Sequence, residues 1–134
     1  MLDIRLIREN PELIQKTAQN KGIGLDVGEL LKVDDARRAL QQESEELKRQ
    51  LNEGNQVMRT LSKEEKPAHI AKMKEISQAA KQKDEELREI MEQYQAMMLR
   101  VPSPVSEDTP LGKSDADNAE FETWGEIPEF SFEA

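Results

Sequence analysis

Cysteine is absent, histidine occurs once, and only five of the 134 residues carry an aromatic ring. Without cysteine there is no disulfide framework and no thiolate zinc site, which fits a reducing compartment such as the cytoplasm. No run approaches the roughly 20 apolar residues that a membrane-crossing helix needs, and the first 20 residues mix charges throughout, unlike a secretory leader. The expectation is a cytoplasmic protein with no membrane partner. Hydrophobic residues at 36% against charged residues at 35% leave little to fill one compact centre, so a large enzyme core is not expected. Catalytic groups are equally scarce. His69 has no second imidazole or thiol to share a metal, and general acid-base work needs a positioned partner and a sheltered pocket, so it reads as a solvated residue. The runs Glu43-Ser44-Glu45-Glu46 and Asp84-Glu85-Glu86 read as wet helix faces. No glycine-rich phosphate loop, nucleophile elbow or metalloprotease motif occurs. No catalytic, cofactor-binding or metal-binding residue is therefore expected in this chain.

What is present is helical periodicity, in three regions. Residues 1–33 read as short helices. Asp3 can cap a first helix, and Asn10-Pro11-Glu12 places a capping side chain, a proline at the first helical position and an acid in the first turn. Gly22 and Gly24 stop that second helix, and Leu25, Val27, Leu30 and Leu31 form a short apolar segment after it. In residues 34–100, Asp34 and Asp35 supply cap and acid for a helix in which Arg37, Ser44, Leu51 and Met58 fall seven apart. Leu40, Leu47, Gly54 and Leu61 interleave with them, in steps of three and four. Met73, Ala80, Leu87, Tyr94 and Val101, interleaved with Ile76, Lys83, Ile90 and Met97, make a second seam of the same kind. Proline lacks an amide proton and disfavours helix just before it, so Pro67 separates the two, with a turn near 62–67.

Two facing seams joined by a short break predict an all-α fold: a long antiparallel two-helix coiled-coil hairpin, with the short N-terminal helices packed at its base. At 1.5 Å per residue the arms reach roughly 40–50 Å. Arg37, Ser44, Gly54 and Lys83 sit in nominally apolar slots, where partial exposure and bending are expected. Residues 101–134 change character. Pro102, Pro104, Pro110 and Pro128 exclude a continuous helix, the composition turns acidic, and four of the five aromatics gather there as Phe121, Trp124, Phe130 and Phe132. This is the pattern of an extended connector whose apolar partner lies elsewhere.

The net charge of −9 would argue against a nucleic-acid partner if it were spread evenly, because phosphates repel anionic surfaces. It is not spread evenly. Residues 1–33 balance, residues 34–46 and 84–100 each carry −3, and residues 101–134 carry −8. Residues 47–83 hold nine basic side chains against four acidic ones, for +5. With a turn near 62–67, position 47 lies opposite roughly position 81, so the cations form one contiguous end of the rod. The acidic base lies about a Debye length or more away and is largely screened. With no aromatic ring there to stack a base, nucleic-acid contact at this tip would read backbone and shape.

The opening Met1-Leu2-Asp3-Ile4-Arg5-Leu6-Ile7-Arg8-Glu9-Asn10-Pro11, the long hairpin, and the connector resemble the amino-terminal region of bacterial-type seryl-tRNA synthetases. The connector is the most specific part: Pro110-Leu111-Gly112, then Asp117-Asn118, Trp124-Gly125 and Pro128-Glu129-Phe130. The resemblance covers the whole chain. It implies a hairpin that binds the long variable arm and elbow of serine tRNA, followed by a class II catalytic domain that makes seryl-adenylate and esterifies the tRNA. It implies ATP and magnesium for that parent enzyme, and a homodimer formed through the catalytic domain. None of the positions that bind ATP, serine or magnesium falls in these 134 residues, so the fragment alone is expected not to be an enzyme. Where the family often has arginine-asparagine and then serine-lysine in the outgoing arm, this chain has Gly54-Asn55 and Met58-Arg59. Asn55 and Arg59 keep the polar and basic character, while Gly54 drops a charge and weakens the helix by roughly 1 kcal/mol relative to alanine.

The residues expected against serine tRNA are Lys48, Arg49, Asn55, Arg59, Lys63, Lys66, Lys72, Lys74 and Lys81. Lys83, on the seam, is the weakest candidate. The alternative reading is a stand-alone coiled-coil module that docks a protein through its imperfect seam or its aromatic tail.

Overall fold

A computed structural model of the chain describes residues 2–106, 108–112 and 114–126. It is all-α, with four helices: α1 (Ile4–Glu9), α2 (Pro11–Asn20), α3 (Val27–Val57) and α4 (Lys66–Met98). The chain divides into two compact units, Met1–Pro104 and Val105–Ala134.

In the first unit, each N-terminal helix starts and stops where its local chemistry directs. The Asp3 carboxylate accepts from the Arg5 amide at 2.8 Å, capping α1. Pro11 opens α2, where its missing amide costs nothing. The Asn10 side chain, at the cap position, makes no cap bond and instead donates to the Leu6 carbonyl at 3.4 Å. After α2, Gly22 takes a left-handed φ of 65°. There its amide bonds the Gln19 carbonyl and the Ile23 amide bonds the Ala18 carbonyl, the two bonds of a Schellman stop.

The third helix begins seven residues earlier than the Asp34 cap read from the sequence. Asp26 is the cap, its carboxylate accepting from the Glu29 amide at 3.0 Å, and the apolar segment Val27, Leu30 and Leu31 is the first turn and a half of α3 itself. Asp34 lies inside the helix and is 1% exposed. An interior aspartate is tolerated there because two guanidinium groups close on it. Arg8 of α1 pairs with Oδ2 at 2.6 Å and Arg37 pairs with Oδ1 at 2.7 Å. Arg37 in turn lies 4.8 Å from the Tyr94 ring of α4.

These contacts surround the core. Ile7, Ile14, Ala18, Leu25, Val27, Leu30 and Met98 form one buried cluster, with Leu31, Tyr94 and Val101 packed against it. The short helices thus sit at the base of the hairpin. The chain leaves α4 along this base, where Lys21 Nζ donates to the Ser103 carbonyl at 2.9 Å and Arg100 donates to the Gly24 carbonyl.

Beyond the base, α3 (31 residues) and α4 (33 residues) pair along their length, each running roughly 45–50 Å. Every expected seam position from Arg37 to Leu61 and from Met73 to Met97 is buried or half-buried. The break between the helices spans residues 58–65, starting earlier than expected, and Pro67 lies in the first turn of α4. Ser62 donates to the Glu65 carboxylate from its amide (3.1 Å) and its hydroxyl (2.7 Å), bracing the turn.

The polar seam slots have specific partners. The Ser44 hydroxyl donates to Asp84 Oδ1 at 2.6 Å across the hairpin, which sets the register expected from the turn. Lys83 bridges Glu43 at 3.0 Å and Glu86 at 2.9 Å. Gly54 is buried because Met73 occupies the space a side chain would fill: a Cβ there would lie 2.0 Å from Met73 Sδ. The glycine read as a weakened helix position is a socket for the opposite arm.

In the second unit, the described part has no helix beyond a single 3₁₀ turn at Asp115–Asp117, opened by a capping box at Ser114. Phe121 and Trp124 are 95% and 94% exposed. Pro128, Phe130 and Phe132 lie outside the described residues.

Candidate nucleic-acid interface

The nine expected contact residues all fall on the distal half of the hairpin or its turn, and the structure sorts them by what each already holds. Lys48, on α3, pairs with Asp84 of α4 at 2.8 Å. Arg49 is gripped by two acids of its own helix, Glu46 at 2.7 Å and Glu53 at 2.6 Å. Hydrogen bonding from Arg49, assisted by Gln50, holds the Glu46 carboxyl down at about 2, and the same Glu46 bond raises the Arg49 guanidinium. Hydrogen bonds from Lys48 and then Ser44 likewise hold Asp84 below the usual carboxylate range. The bonds that Lys83 donates to Glu86 and Glu43 raise it above the usual lysine value, so the weakest candidate is a strut between the two helices.

The acidic runs read as wet faces are thus partly structural. Glu43, Glu46, Asp84 and Glu86 each neutralise a cation of the hairpin.

Arg59, Lys63, Lys66, Lys72, Lys74 and Lys81 form no ion pair with the described residues. All but the half-buried Lys66 are exposed, as is Asn55. Arg59 and Lys63 lie in the turn, Lys66 opens α4, and Lys72, Lys74 and Lys81 follow along it. Lys74 and Lys81 are one heptad apart, so they share a strip with about 10 Å between their positions. Lys72 falls on the other side of the seam. An unpaired exposed lysine is a point charge on a long flexible stem, suited to a phosphate oxygen rather than to a base edge.

His69 is not the solvated residue expected. It is half-buried, and its Nε2 lies 2.8 Å from the Gly54 carbonyl. It therefore tethers α4 to α3 beside Met73 at the glycine socket. Sequence reasoning missed this because the partner is a backbone oxygen on the opposite arm.

Among the described residues no three His, Asp or Glu side chains converge as a metal site, and no helix is long and apolar enough to cross a membrane.

A family model described as the seryl-tRNA synthetase N-terminal domain matches residues 1–105. The chain is 40% identical over 138 residues to a serine–tRNA ligase of Listeria innocua, covering 99% of this chain and 32% of that protein. It is 37% identical over 133 residues to a serine–tRNA ligase of Geotalea uraniireducens, covering 98% and 32%. Among solved structures, seryl-tRNA synthetase from Pyrococcus horikoshii complexed with ATP superposes with a TM-score of 0.75 at 30% identity, over 93% of this chain and 29% of that one. The chain spans about a third of the length of the curated relatives it matches.

Proposed function

The chain belongs to the seryl-tRNA synthetase N-terminal domain family, and on that premise we propose that it is the arm with which a serine–tRNA ligase holds serine tRNA. The observation that carries this reading is the group of exposed cations without acidic partners, among them Arg59, Lys63, Lys74 and Lys81, on the end of the hairpin away from its core. Such a surface neutralises phosphates and tracks the shape of a folded RNA. It has no ring on which to stack a base and few forked donors for base edges, so discrimination comes from where the RNA's arms lie. The long variable arm and the elbow of serine tRNA are the features such a rod can reach.

In this reading the ligase reaction belongs to a catalytic body beyond this stretch. ATP and magnesium act there, two copies pair there, and the work takes place in the cytoplasm. The hairpin's share is to bind the tRNA and present its acceptor end.

The test is binding of a serine tRNA transcript to the 134-residue chain across a range of salt. Each phosphate neutralised contributes about −0.7 to −0.9 to the slope of log affinity against log salt, so a steep fall is expected, and shortening the variable arm weakens binding. Equal affinity for a tRNA with a short variable arm would remove the shape-reading part. A chain that binds no RNA would favour the second reading, a protein-interaction module, for which the exposed Phe121 and Trp124 are the supporting feature.

A further inference from the structure

We propose that the hairpin takes RNA on one of its two broad faces only, and that the opposite face, whose acids match its cations, offers RNA no net attraction. This deepens the tRNA-binding reading and rests on it. The two faces follow from the seam. In an antiparallel pair, the position just after the second seam residue of each heptad lies beside its counterpart on the other helix, and the position just before the first seam residue does the same on the opposite side. Side-chain contacts bear this out. Lys48 and Asp84, both of the first kind, pair at 2.8 Å, while Glu43, of the second kind, reaches across to Lys83 at 3.0 Å.

Assigned in this way, the distal part of the first face carries Lys48, Lys74 and Lys81, with Asn52, Asn55 and Ser77 between them and no carboxylate from 47 to 81, and Arg59 stands in the turn beyond. The second face carries Glu46, Glu53 and Glu75, with Lys72 as its one lysine. Arg49, on the back of α3, leans toward this second face and is held by Glu46 and Glu53, so its charge is spent on intramolecular pairs. Lys48 is similarly committed to Asp84, which leaves Lys74 and Lys81 as the cations open to phosphate on the first face, with Arg59 in the turn beyond them. Lys74 and Lys81 lie about 10 Å apart along the rod.

The distinction has physical force at cellular salt. The Debye length is about 8 Å, so a phosphate on one face responds to the charges of that face and much less to those behind the rod. A strand approaching the second face meets Glu53 already paired with Arg49, and Glu75 beside Lys72, so it finds no net attraction there. A tRNA with both sides of its fold lined by phosphate is thereby turned to one side of the arm, and an RNA of the wrong shape has no second place to settle.

Three substitutions within four residues of α4 test this in the 134-residue chain, with binding read by fluorescence anisotropy at about 150 mM salt. Lys74→Glu and Lys72→Glu change the charge equally, on different faces. Lys74→Glu is expected to weaken serine tRNA binding about tenfold or more and to flatten the salt slope by about one or more. Lys72→Glu should change affinity less than about twofold. Glu75→Lys should leave serine tRNA binding within about twofold while strengthening binding of a short-variable-arm tRNA several-fold. Circular dichroism confirms that each variant keeps its helices. If Lys72→Glu costs as much as Lys74→Glu, or neither costs anything, the one-faced arrangement is wrong while the arm still binds RNA. If Glu75→Lys leaves the mismatched tRNA unaffected, the part assigned to Glu75 in keeping RNA off the second face is wrong. If the unaltered chain binds no serine tRNA, the underlying reading fails and takes this one with it.

Discussion

The base and the tip of the hairpin are held by different means. At the base, four helices and the start of the connector enclose a buried apolar cluster around Ile7, Leu30 and Met98, with an ionised Asp34 at its margin clasped by two arginines. At the tip, the pairing is two helices wide and the large apolar seam residues Leu51, Met58, Met73 and Ile76 are only half-buried. The fully covered positions there are small, Gly54 and Ala80. A two-helix rod cannot surround a side chain, so its distal half gains little from apolar burial and its surface remains free to carry charge. Stability is concentrated where the rod is rooted, and the cations stand where it projects.

That contrast can be broken most directly at the root. Leu30 is fully buried, and Leu30→Ala is expected to lower the unfolding free energy by about 3 kcal/mol, measured by urea titration of the helical signal. A loss below about 1 kcal/mol would show that the root is not the anchor.

Next in size is Asp34→Ala. Removing a buried carboxylate strands the two arginines, and because both remain partly exposed the expected cost is about 2 kcal/mol, below the value for a fully buried pair. The pH dependence has a definite sign. Burial pushes the Asp34 carboxyl up, but hydrogen bonds from Arg8 and Arg37 outweigh it and hold the group below its ordinary value. Its contribution is therefore complete above the unfolded value of about 3.9 and is lost as pH falls through the lower folded value. Asp34→Asn should flatten that acid limb of the stability profile.

The smallest effect sharpens the picture of the tip. Alanine favours a helix over glycine by about 1 kcal/mol, yet at residue 54 its Cβ would collide with Met73. Gly54→Ala alone is expected to destabilise the hairpin by about 1 kcal/mol. The same substitution in a Met73→Ala background should stabilise it by up to about 1 kcal/mol. The reversal of sign in the double-mutant cycle is the diagnostic outcome.

The elements that were legible in the sequence were those whose cause is local or periodic. The Asp3 cap, the proline start of α2, the Gly22 stop and both seams depend on residues within a turn or a heptad of one another. The start of α3 was misplaced because Asp34 follows an apolar segment and resembles a cap. The true signal, Asp26 three residues before Glu29, was available but obscured by Gly28 between them. What makes Asp34 acceptable inside a helix is Arg8, which is 26 residues away and belongs to another helix. Gly54 and His69 were misread for the same reason: each is explained by a group on the opposite arm. For the candidate interface, composition located the cationic end of the rod. Separating committed cations from open ones required knowing that Asp84 reaches Lys48 and that Glu46 and Glu53 both grip Arg49.

The Gly54 socket has a consequence for length. Sliding one helix past the other by a heptad would bring Met73 against Leu47 or Leu61 in place of Gly54, and the close approach at the socket would be lost. The Gly54–Met73 contact and the Ser44–Asp84 bond both belong to the one register observed. The span from the buried root to Arg59, Lys74 and Lys81 is then a calibrated distance, so the hairpin works as a ruler whose gradations are side-chain sizes, and whatever it holds is held at a set reach from the base.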